Sequence, residues 1–190
     1  MKLAMGQYCF KYLKKIIKLF RYTNKEMLIF RCCSLSNNIQ IKDSVICKRY
    51  EKSMILDDDV SFSIARKSND DDEIYVVINN NKVVAHAMVS TGKVWTSEIM
   101  RNISFSGEPY VYNIYVSRMF RGNGYQQALM NKIGMIYPSY FIMSESKNII
   151  SKCNIERLGG FYISNISYRR FLCLERLEVS HECSNIIVER

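Results

Sequence analysis

Apolar positions recur along this chain with two different periods. Residues 8–22 follow the helical one: Cys9, Leu13, Ile16, Ile17 and Phe20 share a face ringed by Lys11, Lys14, Lys15, Lys18 and Arg21. Met27, Leu28, Ile29 and Phe30 form a short apolar run that predicts a strand over residues 26–33. Residues 37–56 read as a helix, with Ile41, Val45, Tyr50 and Met54 facing the core. Residues 60–67 lie between two acidic runs and have no clear period. Residues 74–78 and 82–90 give the clearest hairpin, turning at Asn79-Asn80-Asn81, because asparagine tolerates left-handed geometry. Residues 92–108 read as a turn-rich link containing Trp95.

The next stretch organises the rest. Tyr112, Ile114 and Val116 alternate with Asn113 and Tyr115, which predicts a strand with the first three on one face. Gly122 and Gly124 break it. A helix then starts, with Tyr125, Leu129, Ile133 and Ile136 about a turn apart, and Pro138 stops it. Strand, glycine turn, helix is the grammar of a phosphate cradle, since the first helical turn has unpaired amide donors and a positive dipole end, and it is equally that of a plain turn with no ligand. The Rossmann fingerprint is absent, and no Gly-Lys-Ser/Thr follows to make a Walker A loop. Beyond Pro138 come a strand at 139–143 and a helix at 148–158, with Ile149, Cys153 and Leu158 spaced for burial. Gly159-Gly160 supplies a left-handed cap. Residues 161–163 and 168–177 look like a closing strand pair, and residues 179–190 form a tail of unclear order. The sum is an α+β domain with a mixed sheet and helices on its faces.

Composition narrows the chemistry only a little. The 190 residues suit one domain, with 48% hydrophobic and 24% charged positions. No apolar run reaches the ~20 residues that span a bilayer. Seven cysteines without a Cys-x-x-Cys pair, and two distant histidines, His86 and His181, argue against a metal centre or a disulfide framework. Reduced thiols and a cytosolic setting fit better. The net charge of +9 favours anionic partners without selecting one. No zinc finger, RNP motif or basic heptad points to a specific nucleic acid. The basic segment 8–22 could contact an anionic membrane, act in targeting, or pack on the domain or a partner. His86 would be a proton shuttle if it faced a cleft. The runs Asp57-Asp58-Asp59 and Asp70-Asp71-Asp72-Glu73 lack EF-hand spacing and read as solvated loops that could also receive a cationic amine. Abundant Asn, Ile, Lys and Tyr suggest an AT-rich genome, such as that of a large DNA virus or a parasite. A viral origin would make the setting the host cytosol.

The order Val116-x-x-x-x-Arg121-Gly122-x-Gly124 resembles motif A of the GNAT N-acetyltransferase superfamily, Val-x-Pro-x-x-Arg/Gln-x-x-Gly-x-Gly/Ala. Arg118 stands where proline is usual, and Gln126 where the last small residue is usual. Asn148-x-x-Ser151-x-x-x-Ile155-Glu156-Arg157-Leu158-Gly159-Gly160-Phe161 is similar to a second GNAT segment, Asn-x-x-Ala-x-x-Leu-Tyr-Glu-Lys-Leu-Gly-Phe, with Gly160 as one inserted residue. The resemblance covers residues 110–161. The first sixty residues, where substrate usually docks in the family, match nothing in particular.

The resemblance implies a mostly antiparallel sheet with one splayed strand pair and a GNAT-like domain over 26–178, which leaves the basic helical segment, 1–25, and the tail, 179–190, outside it. It implies acetyl-coenzyme A as acyl donor, held by Tyr115, Val116, Arg121, Gly122, Asn123, Gly124, Tyr125, Gln126 and Asn148. It implies acyl transfer to an amine acceptor, protein or small molecule, by direct attack. Here the usual acid position carries Ile155. The usual base position, in the branch acting on ribosomal-protein N-termini, carries Met143. Glu145, two residues on, could serve as base, and Tyr162 or Tyr115 as acid. A degenerate relative that keeps the fold and only binds is the alternative.

Overall fold

Alternating β-branched and aromatic residues build most of this chain into strands. The computed structural model describes residues 22–33, 46–67, 70–171, 174–180 and 185–189. Its strands are β1 (Thr23–Cys33), β2 (Ile46–Arg49), β3 (Glu73–Asn79), β4 (Lys82–Ser90), β5 (Val94–Thr96), β6 (Arg101–Ser104) and β7 (Tyr110–Val116). After these come β8 (Ser139–Glu145), β9 (Gly160–Phe171), β10 (Leu174–Val179) and β11 (Ile187–Glu189). The helices are α1 (Asp58–Lys67), α2 (Tyr125–Ile136) and α3 (Ile149–Arg157), with a short 3-10 turn at Arg118–Phe120.

Eight strands form one sheet in the order β10-β9-β1-β8-β7-β4-β3-β2. Every neighbouring pair is antiparallel except β7 and β8. The β3–β4 hairpin turns at Asn80 and Asn81, both left-handed, as the asparagine run requires. One face of the sheet packs Met27, Ile74, Val76, Met88, Tyr110 and Tyr112 against Val60 and Ile64 of α1. The other packs Phe30, Tyr75, Val77, Ala87 and Val111 against Leu129, Met130 and Ile133 of α2 and Ile155 of α3. The fold is therefore α+β, with helices on both faces.

Several sequence expectations are corrected. Of the expected helix over 37–56, residues 37–45 lie outside the described residues, and the rest contains the edge strand β2, antiparallel to β3, followed by a turn. An available sheet edge overrides the helical spacing of Tyr50 and Met54. The unassigned residues 60–67 are helical, with Asp58 and Asp59 in the first turn. The link over 92–108 contains β5 and β6, which pair with β11 as a second sheet of three strands. The tail thus contributes a strand, and Ser180 at its start is bonded to Ser164. The expected breaks at 163 and 168 are absent, because β9 runs unbroken beside β1. In α3, Ile149 and Cys153 are exposed and only Ile155 is buried. The basic helix expected within 1–25 and His181 lie outside the described residues, apart from 22–25, of which Thr23, Asn24 and Lys25 are strand and open β1.

Candidate active site

The parallel pair β7–β8 is joined only at Tyr110–Phe141 and Val111–Ile142. From Tyr112 onward β7 stays paired with β4 and leaves β8. The departure coincides with a bulge: His86 faces Tyr115 while Met88 faces Tyr112, so two residues of β7 stand opposite one of β4. Asn113 sits at the bulge with φ 46°. The bulge resets the alternation. Tyr112 and Tyr115 now lie with one core and Ile114 and Val116 with the other, which corrects the prediction that Tyr112 shares a face with the latter two. Asn113 fixes the bulge to α1: its Nδ2 donates to the Ser63 carbonyl at 3.3 Å, and its Oδ1 accepts from the Ser63 hydroxyl at 3.3 Å.

Two cavities occupy the splay. The first, about 620 Å³, is lined by Ile114, Tyr115, Val116, Arg121, Gly122, Gly124, Tyr125, Gln126, Ile150, Asn154, Arg157 and Leu158, among others. The second, about 460 Å³, shares Ile114, Gln126, Ile150 and Asn154 with it and continues to Asn113, Met143, Glu145, Asn148, Glu98 and Met27. The two are therefore chambers of one groove. They carry opposite charge, with Arg121 and Arg157 in the first and Glu98 and Glu145 in the second.

The glycine turn forms the end of the first chamber. Gly122 and Gly124 have φ of 80° and 76°, and Gly124 caps α2. A Cβ on either would meet no atom within 4 Å, so open space lies beside the first amides of α2. A diphosphate fits such a cradle. Asn123, though exposed, folds back on its own turn, its Nδ2 donating to the carbonyls of Phe120 at 3.0 Å and Arg121 at 3.4 Å. Arg121 ties the turn to β7 through Nε and the Val116 carbonyl at 3.2 Å, with its guanidinium over the Tyr115 ring. Gln126 leaves the cradle open: its Oε1 accepts from Asn154 Nδ2 at 3.3 Å, where the chambers join. Tyr125 turns its hydroxyl away, accepting from Asn79 at 2.7 Å.

The remaining predicted residues divide. Asn148 lines the second chamber and caps α3 by accepting from the Ser151 amide at 3.1 Å. Glu145 lines it too, but its Oε1 is held by Lys25 Nζ at 2.6 Å. Tyr162 is not among the groove residues. It is half-exposed on β9, its ring edge against Phe30 and its hydroxyl 3.5 Å from Asn165 Oδ1. The strand register of β9 carries it away from the splay, so the geometry disfavours it as the acid. Tyr115 lies in the groove. His86 faces no cleft: it is fully buried, with Nε2 3.4 Å from the Ser63 hydroxyl, and burial lowers its pKa to about 4. Asn154 and Glu98 escaped the sequence reading. The signal for Asn154 was a polar residue where the second motif has leucine.

Residues 40–134, half of the chain, match the acetyltransferase (GNAT) family. The chain belongs to the GNAT family. GNAT-type architecture recurs in an acetyltransferase of this family from Novosphingobium aromaticivorans, with 15% identity over 77% of this chain and 64% of that one, and a TM-score of 0.52. A functionally unknown protein from Staphylococcus epidermidis is similar at 12% identity over 83% of this chain and 64% of that one, with a TM-score of 0.55. A Drosophila protein is similar at 7% identity over 87% of this chain and 57% of that one, with a TM-score of 0.51. The chain thus spans less than two thirds of each of these structures, and the likeness is one of fold. No curated protein matches it.

Proposed function

We propose that this GNAT chain transfers an acetyl group from acetyl-coenzyme A to a primary amine by direct attack. The observation that carries the reading is the open cradle at Gly122 and Gly124, set at the cationic end of a groove that runs through the sheet. The amides of residues 122–126 face the diphosphate, and Arg121 and Arg157 add positive charge beside it. The edge of β7 from Tyr112 to Val116, unpaired with β8, offers main-chain groups to an extended pantetheine arm. Bound acetyl-coenzyme A supplies the activated acyl group as a thioester. The bulge at Asn113 frees strand amides to polarise a carbonyl placed there. Tyr115, in the groove wall, is the candidate we name to protonate a departing thiolate. Holding amine and thioester together supplies several kcal/mol of the barrier on its own.

One observation favours the binding-only alternative. Ile155, at the family's acid position, is fully buried in the core and has no proton to give. Calorimetry with acetyl-coenzyme A, then thiol release across protein and small-molecule amines, separates the readings. Turnover with any amine supports transfer, tight binding with none supports the alternative, and no binding removes both.

A further inference from the structure

The second chamber passes through the sheet. Gln126, Asn148, Ser151 and Asn154 line it from the side of α2 and α3. Met27 and Tyr112, which belong to the opposite core, line its other end with Glu98. An acyl group fed in from the cradle therefore points toward Glu98, and an acceptor must arrive from that far side.

Glu98 is supplied by the small sheet. It lies in the turn between β5 and β6, next to Ile99, which is fully buried and whose amide donates to the Thr96 carbonyl at 3.3 Å. That anchor fixes the turn while leaving the Glu98 carboxylate half-exposed in the chamber, where Oε2 accepts from the Ser97 hydroxyl at 3.0 Å. Its charge reaches the neighbouring Tyr110, whose phenol is pushed up first by burial and then by Glu98. The chamber's two carboxylates differ in one respect. Glu145 is ion-paired with Lys25, whereas Glu98 makes no ion pair among the described residues.

We propose that Glu98 receives the ammonium group of the acceptor and takes its proton. The proposal rests on the acyl-transfer reading and deepens it: the acceptor is a cationic primary amine entering on the small-sheet side. The ammonium gives one proton to the Glu98 carboxylate. The freed nitrogen lone pair then attacks the thioester carbonyl carbon and a C–N bond forms. The C–S bond breaks with its electrons on sulfur, and the second nitrogen proton ends on sulfur. Amide, free thiol and protonated Glu98 result, and Glu98 releases its proton to water.

The test uses two coenzyme A conjugates, alkylated on sulfur with an acetamide arm ending in 2-aminoethyl or in 2-hydroxyethyl. Calorimetry on the full chain should find the ammonium conjugate about 10-fold tighter than its hydroxyl twin, a gap typical of a charge-assisted contact. Glu98→Gln should erase that gap while binding the hydroxyl twin as the wild type does, which also shows that the variant folds. Glu145→Gln should keep the gap. With any amine that the wild type turns over, Glu98→Gln should slow thiol release about 100-fold, the scale of a lost general base. Equal affinities in the wild type, a gap that survives Glu98→Gln, a gap lost in Glu145→Gln instead, or full-rate turnover of Glu98→Gln would each overturn the assignment while leaving the acyl-transfer reading in place. Wild-type binding of neither conjugate would overturn both.

Discussion

Gly124 and Gly160 do opposite jobs with the same absence of a side chain. A Cβ at Gly124 would touch nothing, and its φ of 76° turns the chain into α2 beside empty space. At Gly160 a Cβ would lie 2.5 Å from Ile155 Cγ2, 2.8 Å from the Ile155 carbonyl oxygen and 3.0 Å from Cys32 Sγ. One glycine keeps room for a ligand, and the other lets β9 leave α3 and run directly against β1. The inserted residue of the second motif is thus a packing requirement, while the glycine of the first borders open space, where we propose the diphosphate sits. A glycine in a motif gains meaning only when its surroundings are known.

Substitutions at the two positions should separate affinity from stability. Gly124→Asp places bulk and negative charge in the cradle. It should weaken acetyl-coenzyme A binding about 100-fold or more, roughly 2.7 kcal/mol, while left-handed strain costs only about 1–2 kcal/mol of stability. Unchanged affinity by calorimetry would mean that the diphosphate lies elsewhere. Gly160→Ala should do the reverse, destabilising the fold by about 1–3 kcal/mol through overpacking, as read from the midpoint of urea unfolding. An unshifted midpoint would show that α3 gives way easily.

Acid should loosen the packed region through His86. Its pKa is lowered from 6.5 to about 4 by burial, so the unfolded chain binds more protons between those values. The stability tied to neutral His86 is complete above pH 6.5 and is lost as pH falls toward 4, with a slope approaching about 1.4 kcal/mol per pH unit. His86→Gln, followed by urea unfolding from pH 7 to 4, should flatten that slope, and an identical slope would assign acid sensitivity to other groups. The smallest effect belongs to Asn123→Ala. It removes two side-chain bonds that brace the glycine turn, which should cost about 1 kcal/mol and weaken cofactor binding without abolishing it.

The central region was legible because its signals are local. Alternation, paired glycines and a proline stop predicted β7, the turn and α2 in the right places. The hairpin followed from three asparagines. What the sequence hid depends on distant partners. Residues 46–49 became a strand because β3 offers them an edge. The small sheet needs Ile187–Glu189 to complete it, across more than eighty residues of chain. The bulge at Asn113 breaks a strand that looks regular in one dimension. Around the candidate site, the glycine turn was readable because local backbone makes it. The site was not readable where side chains converge from separate elements, as Glu98 and Asn154 do. Glu145 had the right strand parity, but its tie to Lys25 joins positions far apart in sequence.

Strand β1 carries a consequence for how this protein comes into being. Met27 sits opposite Glu145 on one side and Ile166 on the other, so both neighbours of the strand are made more than a hundred residues after it. During synthesis β1 must wait, with both edges bare, until the chain through β9 has left the ribosome. Completion of the sheet is then a late and slow event, and the interval before it is when an apolar strand is most exposed to pairing with the wrong chain.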